Sequence, residues 1–127
     1  MLTYEVREDV FPLAEVFTIS RGSRTEARVV TVEVTSGGYR GWGECVPYPR
    51  YGETVEGVIA DIKTFLAGNP EHRRKGLQDA MALGAARFAL DAAFWDLEAK
   101  TSGQRVWDLL ELPVWYEKPT LTCFRFG

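Results

Sequence analysis

A hairpin centred on two adjacent glycines constrains the fold of this chain more than any other feature. The run from Ala27 to Thr35 is rich in β-branched residues, and a second strand-like run, Tyr39 to Glu44, follows after Gly37 and Gly38. β-branched residues favour strands, and paired glycines readily adopt the positive φ angles of a two-residue hairpin turn. The pattern therefore predicts two antiparallel strands.

Strand-like segments also precede this hairpin. Residues 2–9 alternate loosely, and residues 15–20 continue in the same chemistry after Pro12. Alternation of apolar and polar residues is typical of strands with one buried face. We therefore expect an antiparallel meander of three or four strands within residues 1–45.

The hydrophobic period changes to a helical one after the meander. Apolar residues recur at helical spacing from Val55 to Leu66, Thr54 is suited to cap the start of this helix, and Gly68 lies just beyond its expected end. A second helix is predicted from near Gln78 or Leu83 to Lys100. The sequence thus indicates an α+β domain.

The rest of the chain predicts two further elements. A short third helix should occupy residues 106–110 and end before Pro113, and residues 120–124 have the composition of one more strand.

The second helix carries apolar residues on two stripes. One stripe contains Phe88, Ala92, Trp95 and Ala99, and the other contains Leu90, Phe94 and Leu97. A helix that is apolar on two sides needs cover on both. The sheet can cover one side, and three candidates for the other remain open: the first helix, a partner chain, or a further domain.

Composition excludes several functional classes. The chain has 127 residues, 46% hydrophobic and 26% charged, which suits one soluble domain, and no apolar run approaches the ~20 residues of a membrane span. The net charge is −3 and the arginines are scattered, so we expect no nucleic-acid partner and no membrane contact. The strand-like start, without a secretion signal, predicts a cytoplasmic location.

Cysteine and histidine offer little for catalysis. Cys45 and Cys123 are expected to be two buried thiols and not a disulfide. His72 lies in a polar stretch, where we expect a solvated side chain and not a metal ligand or general base. A single histidine rules out a zinc site of the HExxH type within this sequence. A solvated His72 likewise argues against a histidine-based triad.

Two loops are the candidates for ligand binding. The first contains Arg21 and Arg24 around Gly22, and the second runs from Gly41 to Thr54. Arginine presents a planar fork of donors that matches a carboxylate or a phosphate. The alternative is that both arginines are solvated or pair with glutamates such as Glu26 and Glu44.

Paired carboxylates give no metal or glycosidase signal. Glu53 and Glu56 stand three residues apart at a helix start, which usually compensates the helix dipole, and Asp91 can pair with Arg87 one turn back. Asp91 and Asp96 likewise form no recognisable set of metal ligands. Reasoning from residue types alone therefore stops at an anion-binding pair of loops.

Three blocks of sequence carry a resemblance. They are ISRGSRTEARVV at residues 19–30, GWGECVPYPRYGE at residues 41–53, and GAARFALDAAFWDL at residues 84–97. In this order the blocks resemble the N-terminal capping domain of L-Ala-D/L-Glu dipeptide epimerases, in the muconate-lactonizing subgroup of the enolase superfamily. Phe88, Phe94, Arg105 and Glu111 depart from the usual pattern.

The resemblance implies a cap with an enolase N-terminal-domain-like fold, followed in the family by a (β/α) barrel. Family members use barrel lysines, one from a K-x-K motif, and a Mg²⁺ held by three acidic residues. The four lysines here form no K-x-K, so we expect neither catalytic residues nor metal ligands in this chain. The cap should span residues 1–115, and residues 116–127 should be a linker and the start of the first barrel strand.

The resemblance also implies a role in substrate selection. Arg24 is the first candidate to bind a dipeptide carboxylate and Arg21 the second. Tyr51, Arg50 and Tyr48 would form a lid surface, and Tyr51 is the first of these three expected to face the substrate. The expected partners are an acidic dipeptide and either the barrel or another copy of the chain, through the helix at 84–100. Residues 47–53 are predicted to be mobile without a barrel, or to be borrowed by a neighbouring copy.

Two other functions remain open at this stage. The superfamily could be right and the reaction different, as in muconate cycloisomerase or succinylbenzoate synthase. The chain could instead be a non-catalytic module that dimerises through the apolar face of its long helix.

Overall fold

Within the described residues of this protein, three strands precede four helices. The computed structural model describes residues 1–20, 22–68 and 74–113. The strands are β1 (Thr3–Ile19), β2 (Gly22–Ser36) and β3 (Tyr39–Cys45). One turn of 3₁₀ helix (Pro49–Tyr51) follows, and then α1 (Val55–Gly68), α2 (Arg74–Ala80), α3 (Ala85–Ser102) and α4 (Val106–Leu109). The α+β class predicted from the sequence is confirmed.

The strands form one antiparallel sheet in the order β1-β2-β3. Gly37 and Gly38 join β2 to β3 with φ angles of 58° and 81°. Positive φ at both positions suits the right-handed twist of a hairpin, and glycine adopts it without strain. The predicted hairpin is confirmed.

The first strand is longer than the alternation indicated. β1 runs through Pro12 without ending, and a register shift between Pro12 and Phe17 takes up the irregularity. β1 is an edge strand, where a proline can lack its N–H without breaking an interior ladder. The segments predicted at 2–9 and 15–20 are therefore parts of one strand.

One face of the sheet forms the core with the helices. Val6, Val32 and Gly43 lie beside one another on the three strands, and the neighbouring pairs carry Val30, Val34, Gly41 and Cys45. The helices add buried side chains to the same cluster: Val55, Val58, Ile62, Phe65, Leu66, Leu77, Ala86, Ala89, Leu90, Ala93, Phe94 and Leu97. Burial of this surface is the main force that holds the helices to the sheet.

The start and end of the long helices follow ordinary capping chemistry. Thr54 Oγ1 accepts a hydrogen bond from the Gly57 N–H over 3.0 Å, as predicted for an N-cap. Gly68 is the last residue of α1, so the helix ends one residue later than predicted. Gly103 closes α3 with a φ of 67°, and its N–H bonds to Ala99 O.

The region predicted as one second helix holds two helices. α2 ends at Ala80 and α3 begins at Ala85, so a start near Leu83 is close and a start near Gln78 is wrong. Gly84 takes a φ of 156°, which an α-helix does not permit. The break therefore lies at the glycine-containing segment between them.

The two apolar stripes of α3 have different surroundings. Leu90, Phe94 and Leu97 are buried in the core cluster that also contains α1 side chains, so α1 supplies part of the cover. On the other stripe Phe88 is 65% exposed, and Trp95 is half-buried beneath the Arg74 guanidinium, 3.6 Å from the ring centroid. This second stripe is only partly covered within the described chain.

Some predictions fall on residues outside the described ranges. These are Arg21, His72, Cys123, the strand at 120–124, and the linker and barrel strand at 116–127. In the described part of the chain, no helix is both long and apolar enough to span a membrane.

Candidate functional site

The loop between β3 and α1 has a defined conformation. The Tyr51 N–H donates to Tyr48 O over 3.0 Å, and the Gly52 N–H donates to Pro49 O over 2.9 Å. Gly52 closes the turn with a φ of 73°, and the Tyr48 and Tyr51 rings pack with centroids 5.7 Å apart. These hydrogen bonds and the ring packing give the loop a defined local arrangement. That residues 47–53 are mobile without a barrel, or are borrowed by a neighbouring copy, stays a prediction.

The structure brings the two predicted ligand loops together. Arg24, near the start of β2, lines a cavity of about 400 Å³ with Tyr48, Pro49 and Arg50. A neighbouring cavity of about 530 Å³ lies between residues 23–28 and residues 46–56. Three of the predicted binding residues, Arg24, Tyr48 and Arg50, thus share one concave surface.

Tyr51 lies in different surroundings. Its side chain is 75% exposed and lines a groove of about 780 Å³ beside α1 and the segment before α3. It does not line the cavity shared by Arg24 and Arg50. The prediction that Tyr51 faces the ligand stays untested, and the geometry favours Arg50.

The charges around the site leave Arg24 and Arg50 available to an anion. Within the described residues neither guanidinium forms an ion pair, so the alternative that Arg24 pairs with Glu26 or Glu44 is not found. Arg21, for which the same alternative was stated, lies outside the described residues. The nearby Arg28, by contrast, binds Glu8, and this hydrogen bond lowers the pKa of the Glu8 carboxyl. Two unpaired guanidiniums beside tyrosine and proline rings suit a carboxylate with an apolar stem.

A buried thiol lies at the base of the same loop. Cys45 ends β3, is 6% exposed and forms no disulfide. Burial, together with the nearby carboxylates of Glu53 and Glu44, raises its pKa to about 11. Such a thiol stays protonated at neutral pH and is a poor nucleophile. The prediction of a buried, reduced Cys45 is confirmed.

Sequence reasoning missed the role of Glu53. We expected it to compensate the dipole at the start of α1, but its Oε2 accepts the N–H of Ala85, at the start of α3, over 2.7 Å. Its Oε1 accepts the Tyr48 N–H over 3.1 Å. Only Gly84, which offers no side chain to cap α3, hints at this in the sequence.

The described residues do not form a divalent-cation site. Among them, no three histidine, cysteine or acidic side chains come close enough to hold a metal ion. The Asp91–Arg87 pair predicted on α3 is also not among the ion pairs of the described chain. Arg87 instead donates to Met81 O over 3.4 Å.

A family model matches most of the chain. The model describes the mandelate racemase / muconate lactonizing enzyme, N-terminal domain, and matches residues 1–111. The chain is 47% identical over 111 residues to the L-Ala-D/L-Glu epimerase of Escherichia coli (strain K12), which covers 87% of this chain and 35% of that relative. The chain thus spans about a third of the length of this relative.

Solved structures of dipeptide epimerases and their homologues are similar to this chain in fold. A structure from Agrobacterium tumefaciens, described as an enolase family member with homology to dipeptide epimerases, has a TM-score of 0.82 and 48% identity. It covers 89% of this chain and 35% of that one, and it contains sodium and L-Ala-L-Glu with an ordered loop.

A second solved structure is more distant. The dipeptide epimerase of Enterococcus faecalis, in complex with Mg and L-Leu-L-Tyr, has a TM-score of 0.73 and 27% identity. The match covers 84% of this chain and 33% of the Enterococcus faecalis chain. A match over residues 1–111 and the shared three-stranded sheet with its helices place this chain in the mandelate racemase / muconate lactonizing enzyme N-terminal domain family of the enolase superfamily.

Proposed function

We propose that this chain is the substrate-selecting cap of a dipeptide epimerase that acts on acidic dipeptides of the Ala-Glu type. The observation that carries the proposal is the cavity shared by Arg24 and Arg50, two guanidiniums without ion pairs among the described residues. The 47% identity to an L-Ala-D/L-Glu epimerase supports the reaction class. The reaction removes and returns the proton α to a carboxylate.

The cap's own residues would bind and orient the substrate. Arg24 and Arg50 would hold the glutamate side chain of the dipeptide by charge-assisted hydrogen bonds. Pro49 and the Tyr48 ring would pack against its methylene groups and exclude water, which strengthens those bonds. Arg24 projects from the sheet and Arg50 from the loop, so a bound carboxylate would join the two.

Proton transfer and the metal would belong to a barrel domain beyond this cap. The described residues offer no metal cage, so no step of the reaction is assigned to Mg²⁺ on this chain. When bound in the barrel, the ion would stabilise negative charge on the substrate carboxylate. The half-exposed stripe of α3, from Phe88 to Ala99, would pack against that domain.

A fusion protein tests the proposal. Residues 1–113 of this chain would replace the matching cap of the Escherichia coli epimerase, and incorporation of deuterium at the glutamate α-carbon of L-Ala-L-Glu would be followed by NMR in D₂O. We expect epimerisation, with a higher kcat/KM for L-Ala-L-Glu than for L-Ala-L-Leu. Equal values for the two dipeptides would contradict selection by the cap.

The unfused chain provides a second test. With Mg²⁺ added, we expect it to exchange no α-proton of L-Ala-L-Glu above the rate of the buffer. Exchange above that rate would show that catalysis does not require a barrel.

The exposure of Phe88 favours a second candidate, a module that dimerises through α3. Exposed apolar stripes often mark interaction surfaces. Light scattering at high concentration distinguishes the two candidates. A monomer that does not bind the dye ANS would exclude the module.

A further inference from the structure

One carboxylate joins both ends of the ligand loop to the longest helix. Glu53, at the end of the loop, accepts the N–H of Tyr48, at its beginning, over 3.1 Å. Its second oxygen accepts the N–H of Ala85, the first residue of α3, over 2.7 Å. A single side chain therefore closes the loop on itself and connects it to α3.

The start of α3 depends on this connection. The first N–H groups of a helix lack partners within the helix, and Gly84 has no side chain to cap them. A carboxylate at this position also interacts favourably with the positive end of the helix dipole. Gly84 leaves room for it, since a Cβ there would lie 3.2 Å from Glu53 Oε2.

The helix gives the loop a rigid reference. Ala89, Leu90 and Ala93 are fully buried against the sheet and α1, so the N-terminal half of α3 is fixed in the core. Glu53 connects the loop to this fixed half of α3. Arg50 lies within the loop and lines the cavity with Arg24, whose position is set by β2.

We propose that Glu53 is a positioning residue that holds Arg50 beside Arg24 so that both bind one substrate carboxylate. This inference rests on the proposed function for the identity of the ligand, but not for the connection itself. Glu53 acts through the loop, because both of its oxygens are engaged by backbone N–H groups.

Hydrogen exchange on the full 127-residue chain tests the connection. The informative amides are those of Tyr51 and Gly52, which bond within the loop and not to Glu53. Glu53→Gln retains the shape but loses the charge and one acceptor. We expect exchange at these two amides to become about tenfold faster, the effect of weakening one charge-assisted bond.

Glu56→Gln is the matched control. It makes the same charge change three residues away, on a side chain that is 79% exposed. If the two variants exchange equally at Tyr51 and Gly52, the proposal is wrong. Glu53→Asp, which keeps the charge but shortens the reach, should fall between Glu53→Gln and the unsubstituted chain, and provides a second variant should Glu53→Gln fail to fold.

The fusion protein tests the effect on substrate. We expect Glu53→Gln to raise KM for L-Ala-L-Glu about tenfold, with kcat and the KM for L-Ala-L-Leu little changed. An equal rise for both dipeptides would show a general structural defect and overturn the positioning role. If the unsubstituted fusion protein does not epimerise L-Ala-L-Glu, the proposed function fails, while the exchange result still decides whether Glu53 holds the loop.

Discussion

Gly43 of β3 packs directly against the backbone of Ala89 in α3. A methyl group built on Gly43 would overlap the Ala89 carbonyl oxygen and come within 2.9 Å of Ala93 N. One turn further along the helix, a Cβ built on Gly41 would likewise come within 2.7 Å of Leu97 Cβ. The two glycines of the G-W-G segment thus let the sheet and the long helix approach closely, and they determine where the helix lies.

We therefore expect Gly43→Ala to destabilise the fold. The added methyl meets backbone atoms, which cannot rotate away, so the helix must shift and lose contacts with the valines of β2. Overpacking of this kind costs about 1–3 kcal/mol or more. Urea denaturation followed by circular dichroism would show the loss as a lower midpoint.

Gly68→Ala is the control for this prediction. A Cβ on Gly68 has no atom within 4 Å, and its φ is not in the left-handed region. Alanine should leave stability unchanged or raise it by about 0.4–1 kcal/mol. If both substitutions shift the midpoint equally, close packing at Gly43 is not the cause.

A second prediction concerns the free edge of β3. Asp96 Oδ2 accepts the Trp42 N–H over 2.9 Å and binds Lys100 Nζ, which also donates to Arg40 O. These α3 side chains satisfy outward-facing backbone groups of an edge strand, which would otherwise be open to another strand. Asp96→Ala should speed amide exchange at Trp42 by about tenfold.

Asp91→Ala serves as the comparison for this edge. Asp91 lies on the same helix and has no hydrogen bond to β3 among those of the described chain. The Asp91→Ala substitution should leave amide hydrogen exchange at Trp42 unchanged. Unchanged exchange in Asp96→Ala would argue against a protective role for the Asp96–Lys100 pair.

A third prediction concerns Arg24. Arg24→Gln in the fusion protein should raise KM for L-Ala-L-Glu by about 10- to 100-fold, because a charge-assisted bond is lost, with little effect on L-Ala-L-Leu. Arg105→Gln is the control, since Arg105 pairs with Asp108 on α4 at 3.0 Å. Steady-state kinetics with both dipeptides decide the outcome, and equal losses in both variants would remove Arg24 from the site.

A fourth prediction is a pH dependence of stability caused by Cys45. Its pKa is raised to about 11 in the folded chain from 9.0. Below pH 9 the thiol is protonated in both states and contributes no pH dependence. Between pH 9 and 11 the unfolded thiol ionises while the folded one does not, so the free energy of unfolding should fall by about 1.4 kcal/mol per pH unit.

The comparison with Cys45→Ala isolates this effect from other groups that titrate in the same range. Urea denaturation at pH 8.5, 9.5 and 10.5 would measure both proteins. The unsubstituted chain should lose stability more steeply than Cys45→Ala. Parallel curves would mean that the thiol titrates alike in the folded and unfolded states.

The sequence predicted only part of the candidate site. Arg24 was identified by residue type and by resemblance, and Arg50 by resemblance alone, and the structure places both on one cavity. Tyr51 was grouped with them because the resemblance assigns residues 47–53 to one lid, but Tyr51 lines another groove although it is adjacent to Arg50 in sequence. Adjacency in sequence does not decide on which side of a turn a side chain lies.

The sequence alone determined the elements whose signals are local. Strand alternation, the two turn glycines, helical spacing from Val55 to Leu66 and the Thr54 cap each depend on residues a few positions apart, and each is present in the structure. Such features reflect backbone propensity and the need to bury one face. They suffice to indicate three or four strands followed by helices.

Only the tertiary structure decided which distant groups meet. Glu53 caps a helix that begins 32 residues later, and Asp96 accepts a hydrogen bond from a strand residue 54 positions earlier. Neither partner can be read from spacing. By local criteria a carboxylate at a helix start serves its own helix equally well, and Asp96 is satisfied by Lys100 four residues later. The choice is made by the packing of α3 on Gly41 and Gly43, which brings its first N–H to Glu53 and its Asp96 to the edge of β3.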